Sequence, residues 1–142
     1  MTRTVAGAQP REDATRIRWG RILAGGFLLE LALIIVLVPL LAVVELSRII
    51  PLVVVALFIF GFACGWLVAR KLQGRHVFHA TAAGVVATII YIGLCMFNPD
   101  GGIRAVVDMY GPVTFVFGNL LRIVGCTAGG FANRARNAAA RA

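Results

Sequence analysis

Glu30 lies in the run GGFLLELALIIVLVPLL, residues 25–41, and Arg122 lies in VTFVFGNLLRIVGCTAGGF, residues 113–131, so each charge is embedded in an otherwise apolar segment. A carboxylate in such surroundings must find a counter-ion, keep a proton or serve a transport pathway. A lone charge at the centre of a membrane helix costs about 2.5–3.5 kcal/mol on insertion scales. A guanidinium meets the same requirement and fits a carboxylate through charge-assisted hydrogen bonds. Asn119 stands one helical turn before Arg122 and can serve as a third member of the group.

The remaining reactive side chains are arranged less pointedly. His76 and His79 stand at i and i+3 beside Arg75. Without a nearby carboxylate or thiolate they make a poor metal site, and they are expected to be interfacial histidines. Cys64, Cys95 and Cys126 all fall inside apolar runs, where thiols act as small hydrophobes, so a disulfide framework is not expected. Trp66 is read as an interface anchor and Tyr91 as a core hydrogen-bonding residue, while Glu45, Asp100 and Asp108 are loop carboxylates. No nucleophile with a base, phosphate-binding glycine loop or pair of catalytic acids is discernible, so neither an enzyme nor a cofactor is expected.

Membrane-spanning helices must position these residues. Of the 142 residues, 60% are hydrophobic and 14% charged, against about 25% charged in soluble domains. The apolar runs 22–44, 49–69, 77–97 and 109–131 each approach the ~20 residues that span a hydrocarbon core. They predict an all-α, four-helix transmembrane domain over residues 21–131, with a mobile basic tail at 1–20 and a second basic tail at 132–142. The first run exceeds the roughly 7–15 residues of a signal-peptide core and lacks an A-x-A-like cleavage site, so it is read as a retained span. Leu, Ile, Val and Phe, at about 0.3–0.6 kcal/mol each, outweigh the single carboxylate that this span carries.

The net charge of +8 follows topology rather than a nucleic-acid footprint. Basic residues sit in the N-terminal tail (Arg3, Arg11, Arg16, Arg18, Arg21), the second connection (Arg70, Lys71, Arg75) and the C-terminal tail (Arg134, Arg136, Arg141). Only Arg48 and Arg104 fall in the other two connections. The positive-inside rule then places both termini and the second connection in the cytoplasm. No aromatic interleaving or known motif suggests nucleic acid.

Short connections force consecutive helices to run antiparallel, giving two hairpins side by side. Pro51 falls near the start of the second span, where its missing N–H is harmless, and Pro39 is expected to kink the first. Gly61 and Gly65 form one G-x-x-x-G and Gly125 and Gly129 another, a faint 64-residue repeat suited to close helix approach. At about 100° per residue, Gly111, Gly118, Asn119, Arg122, Gly125, Cys126 and Gly129 share one face of the fourth span. Ala80, Ala83, Gly84, Ala87, Thr88, Tyr91 and Cys95 share one face of the third. These small faces predict a close-packed core.

Glu30 lies about 12 Å and Arg122 about 13–14 Å from the cytoplasmic ends of their spans at 1.5 Å per residue. The matching depths predict a Glu30–Arg122 pair acting as a clamp between helices. Separate fates are the second possibility, with Arg122 snorkelling and Glu30 protonated. A titrating Glu30 in a proton or solute pathway is the third.

The stretches RILAGGFLLE (21–30), GWLVARK (65–71), HATAAGVVATIIY (79–91) and LRIVGCTAGGFANRAR (121–136) resemble the small, functionally uncharacterised four-helix integral membrane proteins of bacteria. The resemblance implies a multi-pass fold in the bacterial cytoplasmic membrane and no particular activity. The expected partners are the lipid bilayer and other membrane proteins or a second copy of the chain. A Glu in the first of four short spans is also similar to small multidrug resistance transporters, but the chain is longer and lacks their aromatic and glycine signatures. A structural or interaction bundle is therefore expected, with a small proton- or solute-coupled transporter using Glu30 as the alternative. A holin-like pore fits poorly with glycines suited to tight contact.

Overall fold

The computed structural model describes residues 17–44, 46–72, 74–99 and 101–140. The N-terminal tail as far as residue 16 and the loop carboxylates Glu45 and Asp100 lie outside the described residues. Every regular element among the described residues is a helix: α1 is Trp19–Val43, α2 Leu46–Ala69, α3 His76–Met96, α4 Gly102–Tyr110 and α5 Pro112–Ala139. Four of these, α1, α2, α3 and α5, are long and apolar enough to cross a bilayer. Their outward residues, among them Leu23, Ile35, Ile59, Ile89, Val116 and Leu120, are exposed apolar side chains. Such a surface suits lipid, because only in hydrocarbon does its exposure carry no penalty.

The element ends differ from the sequence expectation in three places. α2 begins at Leu46, so Pro51 lies more than a turn inside the helix and removes one interior i to i−4 donor. The third connection folds into α4, and the joint to α5 is Gly111, whose φ of 78° is one that side-chain-bearing residues rarely adopt. Gly111 is thus a hinge between helices rather than part of the packing face. α5 starts at Pro112, a residue suited to a first helical turn, and continues past Phe131 through the expected tail to Ala139. Its 28 residues span about 42 Å at 1.5 Å per residue, longer than a hydrocarbon core roughly 30 Å thick, and its last turns carry the basic residues Arg134 and Arg136.

Glycines decide the packing. A methyl group on Gly65 would overlap the Cys126 carbonyl, and one on Gly129 would overlap the Phe62 carbonyl. One on Gly125 would lie 2.6 Å from the Phe58 oxygen and one on Gly61 3.0 Å from the Arg122 oxygen. The contacts are reciprocal and advance together, so α2 and α5 run in the same direction with their backbones touching. The 64-residue repeat is the spacing of glycines that pack against each other, Gly61 against Gly125 and Gly65 against Gly129. On α3, a methyl on Gly84 would meet the Ile123 backbone of α5 at 2.9 Å, and on α1 one at Gly26 would crowd Val86 of α3. α5 therefore packs on α2 and α3, and α1 packs on α3 and α2, while α1 and α5 lie across the bundle from each other. Leu29, Leu57, Cys64, Val68, Ala83, Ala87 and Cys126 form the core between them.

Polar ties gather at the end of the bundle that holds Trp19, Ala69, His76 and the last turns of α5. Arg21 Nη1 donates to the Arg70 carbonyl at 3.0 Å, and His76 Nδ1 lies 3.2 Å from the Ala69 carbonyl. His79 Nδ1 lies 2.9 Å from the Arg75 carbonyl, while its Nε2 accepts the Arg18 N–H at 3.0 Å. Only the neutral Nδ1–H tautomer makes both bonds. With 1% of its surface exposed, His79 is a buried tie between the starts of α1 and α3. Both of its ring nitrogens are engaged by backbone groups. Asn133 Nδ2 donates to the Trp66 carbonyl at 3.4 Å, and Arg136 lies 5.6 Å from the Trp66 ring.

Candidate functional site

α1 presents Glu30 inward beside Leu29 and Leu33, with Phe27, Leu28 and Leu31 turned outward. α5 buries Gly118, Asn119, Arg122, Gly125, Cys126, Gly129 and Gly130 and exposes Val116, Phe117, Leu120 and Val124. Two helices that do not pack on each other are thereby joined through their charges. Arg122 Nε lies 3.1 Å from Glu30 Oε1, and the residues are 5% and 3% exposed.

Arg122 has further partners. Its Nη1 donates to Asn119 Oδ1 at 2.7 Å, and Asn119 Nδ2 donates to the Phe115 carbonyl one turn back at 2.8 Å. This fixes the orientation of the amide and makes its oxygen available to the guanidinium. The guanidinium carbon lies 3.8 Å from the centroid of the Tyr91 ring, a cation–π contact from α3. Yet Arg122 Nε and Glu30 Oε1, despite their closeness, are not aligned as a hydrogen bond, and neither has another partner. The charges attract without satisfying each other's directional valence.

Beyond the pair, toward α4, a cavity of about 230 Å³ is lined by Glu30, Leu33, Leu37, Val53, Leu57, Tyr91, Tyr110, Phe115, Gly118 and Arg122. The close-packed core predicted from the small faces thus holds at one end of the bundle and is corrected at the other. Gly118 marks the change: a methyl there would meet only the Leu57 Cδ1 atom, at 3.1 Å, and no backbone. It is a wall of the cavity rather than a close helix contact. The cavity also reaches Ile34 and Val38, which are exposed on α1, so it is a cleft bounded by α1, α2 and α5 that extends to the apolar outer surface of α1. Tyr110 of α4 closes its far end, and burial raises that phenol's pKa above the ordinary tyrosine value.

Gly61, Gly65, Gly84, Gly125 and Gly129 lie on the helix contacts described above and away from this cleft. Sequence reasoning missed Tyr110, Thr114, Phe115 and Gly118 as walls of one space. Helical periodicity alone reports which way residues point and not whether the opposing helix reaches them. The Gly111-Pro112 pair was the available signal, since it marks a helix start and separates Tyr110 from the span. Comparison with protein-family models, with curated proteins and with solved structures finds no match.

Proposed function

We propose that this chain is a structural or interaction bundle of the bacterial cytoplasmic membrane and not an enzyme. Its spans form two antiparallel hairpins with both termini in the cytoplasm, an orientation supported by the basic residues of the tails and second connection. Its partners are the lipid bilayer and other membrane proteins or a second copy of itself. It requires neither a cofactor nor nucleic acid. The observation that carries this reading is the 3.1 Å approach of Glu30 and Arg122 inside a bundle of apolar helices. Two opposite charges at one depth hold together helices whose backbones do not touch, and thereby specify which partner faces α1.

The test exchanges the charges. Glu30→Arg and Arg122→Glu each reduce the yield of folded protein, and their combination restores it; absence of any restoration removes the support for a direct clamp. Cross-linking followed by purification should recover a membrane partner or a dimer. If purified protein in liposomes instead moves protons or a solute, and Glu30→Gln stops the movement while the fold persists, the transporter replaces the bundle. Reporter fusions at either terminus check the orientation.

A further inference from the structure

A clamp alone does not need the cavity beside it, because close packing excludes water and strengthens the attraction between paired charges. Here the pair borders about 230 Å³ of unfilled space. Glu30 Oε1 and Arg122 Nε, on side chains more than nine-tenths buried, both lack an aligned hydrogen-bond partner. The walls are otherwise mostly apolar, and they include Ile34 and Val38, whose side chains are also exposed on the outer surface of α1. We infer that the cleft bounded by α1, α2 and α5 binds a single-chain amphiphile with an uncharged hydroxyl or amide head, admitted sideways from the bilayer.

The head chemistry follows from the floor of the cleft. Glu30 and Arg122 together carry no net charge, so a ligand bringing one of its own would leave it uncompensated in a low-dielectric site. A hydroxyl or primary or secondary amide is neutral and has both functions, a donor for the carboxylate and an acceptor for the guanidinium of the two charged residues that line the cleft. The chain chemistry follows from size and lining. About 230 Å³ is below the roughly 300–1,000 Å³ of sites for drug-sized ligands. At about 30 Å³ for a water-sized group it holds roughly eight such groups, a stretch of one slender chain rather than a fused-ring body. Leu33, Leu37, Leu57 and Phe115 supply the matching surface.

The inference rests on the membrane-spanning reading, so resistance to alkaline extraction is established first and separates a failure to insert from a failure of the site. The full chain in lipid nanodiscs is then photolabelled with a diazirine-bearing dodecanol, and labelled peptides are mapped. Label is expected to concentrate on Leu33, Leu37, Leu57 and Phe115. Unlabelled dodecanol is expected to compete about tenfold better than dodecyl sulfate or dodecyltrimethylammonium, the ratio that about 1.4 kcal/mol of head-group preference produces. Gly118→Leu fills the cleft from α5 and Val53→Phe fills it from α2, and each variant that retains its thermal unfolding transition should lose the cleft label while exposed Ile89 keeps its background label. Even labelling along the exposed faces of α3 and α5, cleft label that survives filling, or better competition by either charged amphiphile overturns the inference. The competition runs on the unaltered protein, so it decides even if both filled variants fail to fold.

Discussion

At the end of the bundle that holds Ala69 and His76, α2 and α5 meet backbone to backbone. Gly65 faces the Cys126 carbonyl, Gly129 faces the Phe62 carbonyl, and His79, Arg21 and Asn133 tie the helix ends together. At the end that holds α4, Gly118 meets only the tip of Leu57, and a cavity of about 230 Å³ separates α1 from α5. Glycine occurs in both regions with opposite results, because a missing side chain brings helices together only when the opposing helix is free to move in. Where α2 presents the Leu57 side chain to α5 in place of a glycine, the same absence leaves a void. The charged pair marks the boundary between a tight half and an open one.

The largest effect tests that boundary. Arg122→Met alone leaves Glu30 buried beside no cation, and unfolding in mixed micelles should show a loss of about 3–5 kcal/mol. Glu30→Leu combined with Arg122→Met should recover most of it, since a well-packed apolar pair replaces a buried ion pair at little cost. If the double variant is as unstable as the single, the coupling between α1 and α5 does not run through these charges. Next, Gly65→Ala or Gly129→Ala should cost about 1–3 kcal/mol through overpacking against a backbone that cannot retreat locally. An unchanged midpoint in both would show that the tight half is looser than its glycines imply.

His79→Ala should cost about 1 kcal/mol and speed amide exchange at Arg18, whose N–H loses its acceptor. Exchange as slow as in the unaltered protein would remove His79 as the tie between α1 and α3. The smallest effect runs the other way. Gly118→Ala replaces a helix-weakening residue where only Leu57 Cδ1 must yield, and should stabilise by about 0.5–1 kcal/mol. The opposite signs at Gly118 and Gly129 of one helix are the sharpest expression of the contrast between the halves. A loss at Gly118 equal to that at Gly129 would erase it.

Much of this was legible in the residues. Hydropathy and length mark the segments that became α1, α2, α3 and α5, because a bilayer sets a narrow length for an apolar helix. The faces of α5 divide as its 3.6-residue periodicity does, Arg122 and Asn119 among small residues and Val116, Leu120 and Val124 opposite. Glu30 and Arg122 have matching depths in the sequence and stand 3.1 Å apart in space. Other features carry weaker local signals. α4 is nine residues long, too short for hydropathy to separate from a loop, and the extension of α5 to Ala139 runs through small and basic residues that hydropathy scores as a tail. The burial of His79 depends on the Arg18 N–H, sixty-one positions away, and no spacing within α3 reports it.

The sequence by itself determined that the chain is a set of apolar helices, which face of each carries small and polar residues, and that two charges share a depth inside them. Those properties are local, being set by side-chain hydropathy, by helical periodicity and by the 1.5 Å rise per residue. Tertiary structure alone decided that α2 and α5 touch through their glycines, that α1 and α5 lie across the bundle, and that Gly118 borders a cavity while Gly129 closes a contact. A glycine specifies where a helix can be approached closely. Which helix approaches, and whether it arrives, depends on how all the faces are satisfied at once.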